Sequence, residues 1–141
     1  VIVRYYAQRN KEFDEPFDGI VYAVMVAMGF AALENILYVF QYGMSNGIIR
    51  AFTAVPAHAT FGILMGYFMG KAKFAKTKKE KIRLNLTGLL AATLFHGIYD
   101  FFLFINFIPG ISIGAFLSLA IGLILSRKAI QKHQNISRFK H

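Results

Sequence analysis

The 141-residue sequence contains no cysteine, which excludes a disulfide framework, a thiolate zinc site and a cysteine nucleophile. Charge is scarce too. Asp, Glu, Lys and Arg make up 16% of the chain, against 56% hydrophobic residues, whereas an average soluble domain carries about 25% charge. With a mean hydropathy of +0.47, a soluble core is excluded. Acidic residues are the rarest class, 7 against 16 Lys and Arg, for a net charge of +9. Such an excess can signal a nucleic-acid partner, but here the basic residues fall in blocks between long apolar runs. That is how a polytopic membrane protein is written, so the expected partner is the lipid bilayer and not nucleic acid. The head of the chain lacks an initiator Met and a cleavable signal. Residues Val1 to Ala7 read like the last turns of an apolar helix, and the chain is expected to be a fragment.

What is present is a set of four stretches long enough to span a hydrocarbon core, which takes roughly 20 mainly apolar residues. They run Gly19 to Phe40, Arg50 to Met69, Asn85 to Ile105 and Pro109 to Leu125. The expected architecture is an all-α membrane protein, a single domain over residues 1–141 with four transmembrane helices in a bundle. The connections Gln41 to Ile49, Gly70 to Leu84 and Asn106 to Ile108 are short, so consecutive helices should be antiparallel neighbours. Lys71, Lys73, Lys76, Lys78, Lys79, Lys81 and Arg83 crowd the middle connection. Arg127, Lys128, Lys132, Arg138 and Lys140 follow the last span, and Arg4, Arg9 and Lys11 precede the first. Only Arg50 lies opposite, so both ends and the basic loop are expected in the cytoplasm. The acidic segment Glu12 to Asp18, with Pro16, reads as a solvated loop leading into the first span.

Small residues recur every fourth position at Gly19, Ala23, Ala27 and Ala31, at Gly62, Gly66 and Gly70, and at Gly114, Ser118 and Gly122. In lipid such stripes mark helix contact faces, because close backbone approach drives association there. They carry no chemistry. The abundant Phe and Tyr read as packing or lipid-facing residues.

The chemistry lies in polar residues within the spans: Glu34 and Asn35 in the first, His58 in the second, His96 and Asp100 in the third. An ionisable group in a bilayer core costs at least ~2.5 kcal/mol and usually faces a functional cavity. His96 and Asp100, four residues apart, share one helix face, where the carboxylate can orient the imidazole. At ~1.5 Å of rise per residue, Glu34 sits about 9 Å, His58 about 12 Å, His96 about 14 Å and Asp100 about 8 Å below the outer boundary. Three helices therefore bring four groups to one level. A carboxylate and two imidazoles can activate water, polarise a carbonyl and stabilise an oxyanion. The same set could bind zinc with an open position for water, or relay protons in a transporter. A transporter would need more than four spans and would carry an inverted repeat, which this chain does not show.

The motifs FAALEN at Phe30 to Asn35, HATFG at His58 to Gly62 and HGIYD at His96 to Asp100, with FDEPFDGIVYA at Phe13 to Ala23, resemble those of the PrsW family of intramembrane proteases in order, spacing and placement. That family is related to the type II CAAX prenyl proteases, the CPBP superfamily, and to a noncatalytic scaffold subunit of γ-secretase. Its type members resemble site-1 proteases that cut a membrane-anchored anti-sigma factor. The resemblance implies a multi-pass protein of a prokaryotic cell membrane, a membrane-anchored protein substrate, and an active site containing Glu34, His58 and His96, with Asn35 and Asp100 in support. In its glutamic-protease version no metal cofactor is needed; in the metalloprotease version these groups would be zinc ligands. A noncatalytic scaffold is the alternative outcome. The family's first motif, a Glu-Glu pair followed three residues later by Lys, is not in this chain. Residues 1–141 alone are therefore expected to hydrolyse no peptide.

Overall fold

The computed structural model describes residues 2–105, 108, 110, 112–137 and 139. One helical turn, α1 (Ile2–Tyr5), and a 3-10 turn (Ala7–Arg9) lead to α2 (Pro16–Tyr42), α3 (Met44–Phe52), α4 (Ala54–Lys73), α5 (Lys78–Phe104) and α6 (Ile113–Gln134). There is no strand among the described residues. Three helices, α2, α5 and α6, are each long and apolar enough to cross a membrane, and the bent pair α3–α4 is a fourth when taken as one span. The chain is an all-helical, multi-pass membrane protein. Side chains such as Met25, Leu37, Leu90 and Leu117 stand exposed along these helices, an apolar surface suited to lipid.

Local chemistry sets the boundaries. Pro16 occupies the first turn of α2, and Glu15 and Asp18 form a capping box. The Asp18 Oδ2 accepts from the Glu15 and Asp14 N–H groups at 2.9 Å each, which satisfies donors that a helix start leaves orphaned. The acidic segment is only in part the solvated loop expected: Glu12 and Asp14 are exposed, but Phe13 is 1% and Glu15 6% exposed. Phe13 packs with Val3, Ala23 and Met69. At the other end Gly43 takes φ +84°, a left-handed conformation that glycine adopts without strain, and the chain turns straight into α3.

That turn corrects the expected second span and the connection before it. Residues 41–49 are mostly helix, and the span breaks at Thr53 with a bend of about 40° between α3 and α4. The third span begins at Lys78, so the basic connection narrows to residues 74–77, with Thr77 capping the Glu80 N–H at 3.1 Å. The fourth continues to Gln134. Its expected start at Pro109 lies outside the described residues, as do Val1, Asn106, Arg138 and Lys140.

The helix α4 is the hub, packing on α2, α5 and α6. The small-residue stripes meet as expected. A Cβ built on Gly66 would stand 2.6 Å from the Ile20 Cα and 2.9 Å from the Ala23 Cβ, one on Gly19 2.6 Å from the Gly66 oxygen, and one on Gly62 2.9 Å from the Ala27 Cβ. Across α6, a Cβ on Gly114 would press on the Phe102 ring at 2.7 Å and one on Gly122 on Thr60 at 2.9 Å. Near the basic ends of the helices the buried Gln8 amide donates to the Met69 oxygen at 2.8 Å and to Asn85 Oδ1 at 3.0 Å, while the Lys73 ammonium caps the Gln8 carbonyl. The stripes thus set the α2–α4 distance, on which the site depends.

Candidate active site

Four helices contribute to one polar cavity. α2 presents Glu34 and Tyr38, α3 Arg50, α4 His58 and Phe61, and α5 His96, Tyr99 and Asp100. The cavity measures about 20 Å³, room for a water molecule. Glu34 and Tyr38, four apart, share a face of α2, as His96 and Asp100 share one of α5.

Two carboxylate–imidazole pairs face each other there. His58 Nε2 lies 3.1 Å from Glu34 Oε2, and His96 Nε2 lies 3.2 Å from Asp100 Oδ2. The two rings stand 4.8 Å apart at 78°. Phe61 stacks on His96 at 5.4 Å and Phe30 leans on His58 at 5.5 Å, so aromatic neighbours hold both imidazoles in place. The side chains of His58 and Glu34 are 8% and 25% exposed, those of His96 and Asp100 33% and 42%; the first pair is the more enclosed. A second, apolar cavity of about 260 Å³, lined by Val26, Phe30, Met65 and Thr93 among others, ends on the same two histidines.

Asn35 takes a different post. Its Nδ2 donates to the Gly47 oxygen of α3 at 3.1 Å, and it does not line the polar cavity. Consecutive helix residues do not face the same way, so Glu34 and Asn35 divide between cavity and α3. Arg50, which marks only topology in the sequence, stands inside the site. Its Nη2 donates to Glu34 Oε2 at 2.5 Å, and its guanidinium lies 3.6 Å from the Tyr38 ring centroid. The sequence carries no signal for it, because an Arg at the end of an apolar run ordinarily snorkels to the interface.

A family model described as PrsW family intramembrane metalloprotease matches residues 1–126. Protease PrsW of Geobacillus kaustophilus is 43% identical over 130 residues, 92% of this chain and 56% of that protein. Protease PrsW of Bacillus subtilis is 46% identical over 94 residues, 67% of this chain and 43% of its own length. That of Clostridioides difficile is 39% identical over 103 residues. The chain spans about half the length of these relatives. No solved structure matches it.

The metal in that description can be tested against the donors. Both histidine Nε2 atoms are turned toward carboxylates, and Glu34 Oε2 is already neutralised by a guanidinium. Among the described residues no three of His, Cys, Asp and Glu converge as metal ligands, which zinc needs at ~2.0 to 2.2 Å. As they stand, the histidines and carboxylates pair with one another and with Arg50, not around a common point.

Proposed function

The chain belongs to the PrsW family, and from that premise we propose that it forms the core of an intramembrane endopeptidase that hydrolyses a peptide bond of a membrane-anchored protein. The observation that carries this reading is the pair of carboxylate–imidazole couples facing each other across a water-sized cavity. Water enters the polar cavity, and the substrate chain lies in the apolar one, so the two reactants meet at His58 and His96.

The more enclosed Glu34–His58 pair accepts a proton as the water oxygen bonds to the carbonyl carbon. The more exposed His96–Asp100 pair gives a proton to the departing amine as the carbon–nitrogen bond breaks, and the proton held by Glu34–His58 then restores it. Water is consumed and an acid and an amine are released. In this reading the chain spans the cell membrane four times with both ends cytoplasmic, and the site lies in the outer half. An anti-sigma factor with one transmembrane helix is the kind of substrate that fits. The mechanism is of glutamic type.

The test uses the full open reading frame that encodes this chain, reconstituted in liposomes with a single-span reporter. Cleavage is expected, and His58→Ala and His96→Ala should each reduce it about 100-fold or more. Wild-type cleavage by the double histidine variant would remove both histidines from the mechanism, and no cleavage by the wild-type protein would leave a membrane scaffold as the better reading.

Two further outcomes follow from the site. Asp100→Asn keeps the shape but removes the charge that orients His96, and is expected to slow cleavage about 10- to 100-fold, read from initial rates. Chelator treatment should leave the rate unchanged, with elemental analysis giving less than one zinc per chain; loss to chelator with recovery on adding zinc would refute the glutamic mechanism.

A further inference from the structure

We propose that Arg50 is the group that receives the negative charge of the reacting carbonyl oxygen, an inference that rests on the hydrolase reading above. When the water oxygen bonds to the carbonyl carbon, the C=O π pair moves onto oxygen while the water proton goes to the Glu34–His58 pair. When that pair of electrons returns, the carbon–nitrogen bond breaks and nitrogen takes its proton from His96. The oxyanion therefore forms at the edge of a cavity faced by two carboxylates, Glu34 and Asp100. Protonated His58 and His96 balance those carboxylates, so the oxyanion itself calls for a further cation. Arg50 is the sole Lys or Arg among the residues lining that cavity.

Its geometry suits the role. One guanidinium nitrogen, Nη2, is engaged by Glu34 Oε2 at 2.5 Å, yet a guanidinium carries five N–H donors in a rigid fork. The Nε is buried and has no hydrogen-bond partner. Glu34 thus leaves most of the fork unengaged, and on a residue that lines the reaction cavity the remaining N–H groups suit preorganised oxyanion binding. The side chain is also fixed, 16% exposed, with its guanidinium flat against Tyr38 at 3.6 Å from the ring centroid. The backbone explains how it arrives there. α3 is tied to α2 by the Asn35 amide on the Gly47 oxygen at 3.1 Å, and the break at Thr53 turns Arg50 back over Glu34. A straight second span would not do this.

A simple strap between α2 and α3 would share the ion pair but not the spare donors, and kinetics separate the two. In the liposome assay with the full protein, Arg50→Lys keeps the charge but loses the fork, and should lower kcat about 100-fold with KM within about twofold of wild type. Arg50→Ala should lose about 1,000-fold in kcat, and guanidinium added to the medium should restore at least a tenth of the lost rate. Helicity and detergent melting of Arg50→Lys guard against misfolding; if the alanine variant does not fold, the lysine variant decides. An Arg50→Lys enzyme with wild-type kcat, a loss confined to KM, or an Arg50→Ala loss untouched by guanidinium would each overturn the assignment. A wild-type protein that cleaves nothing would instead bring down the hydrolase reading itself.

Discussion

Glu34→Gln is expected to lower cleavage by about 100- to 10,000-fold, the range that a positioned acid–base group supplies. The carboxylate oxygen Oε2 accepts from both the Arg50 guanidinium at 2.5 Å and the His58 ring at 3.1 Å. An amide offers these donors one neutral oxygen or, turned over, an N–H that repels them. Either way His58 loses the charge that balances it while it holds the water proton. Arg50 loses its counter-charge too, and an unpaired charge in a partly buried site is destabilising. The double variant Glu34→Gln/Arg50→Gln removes that imbalance, so its melting temperature should recover toward wild type while its activity does not. This split between stability and rate identifies Glu34 as chemical and not merely structural. A Glu34→Gln protein that cleaves its reporter at the wild-type rate would remove Glu34 from the mechanism.

That Glu34 could be singled out before any coordinates follows from the bilayer. Lipid forces spans to be long and apolar, so an ionisable residue inside one stands out, and Glu34 is the sole Glu in any of the four expected spans. Depth arithmetic then puts Glu34, His58, His96 and Asp100 at one level, and they do line one cavity. The glycine and alanine stripes were legible for the same reason, since nothing else brings backbones this close in lipid.

Other features were hidden because they depend on three-dimensional direction. Gly43, Ser45, Asn46 and Gly47 are turn formers, so residues 41–49 read as a loop; in the fold Gly43 ends α2 and Gly47 fits against Val39 and Asn35 of α2, which lets α3 form. Arg50 points inward only because of the break at Thr53, and a span read as straight leaves it at the boundary. His133 lies in a basic tail but is 1% exposed, stacked on Tyr67 at 4.5 Å. Neighbouring charge hides burial of that kind from a hydropathy reading.

The other large effect is expected at a position with no chemistry. Gly66→Leu should destabilise the protein and reduce cleavage more than 100-fold. Its Cβ would stand 2.6 Å from the Ile20 Cα and 2.9 Å from the Ala23 Cβ, and the first of these is backbone, which no rotamer change can move aside. Overpacking a core costs about 1 to 3 kcal/mol where side chains can adjust, and here α2 must separate from α4 instead. Those two helices carry Glu34 and His58, whose contact is 3.1 Å, and a displacement of about 1 Å at a reacting group is enough to cost about 100-fold. Gly29 supplies the control. It lies on α2 between the packing region and Glu34, and a Cβ there meets nothing within 4 Å; Gly29→Leu should therefore leave both melting and cleavage near wild type. Thermal unfolding in detergent and initial rates in liposomes, measured on the two variants together, test the link from packing to activity. If Gly66→Leu melted and cleaved like wild type, the small-residue contact would not be what holds Glu34 against His58.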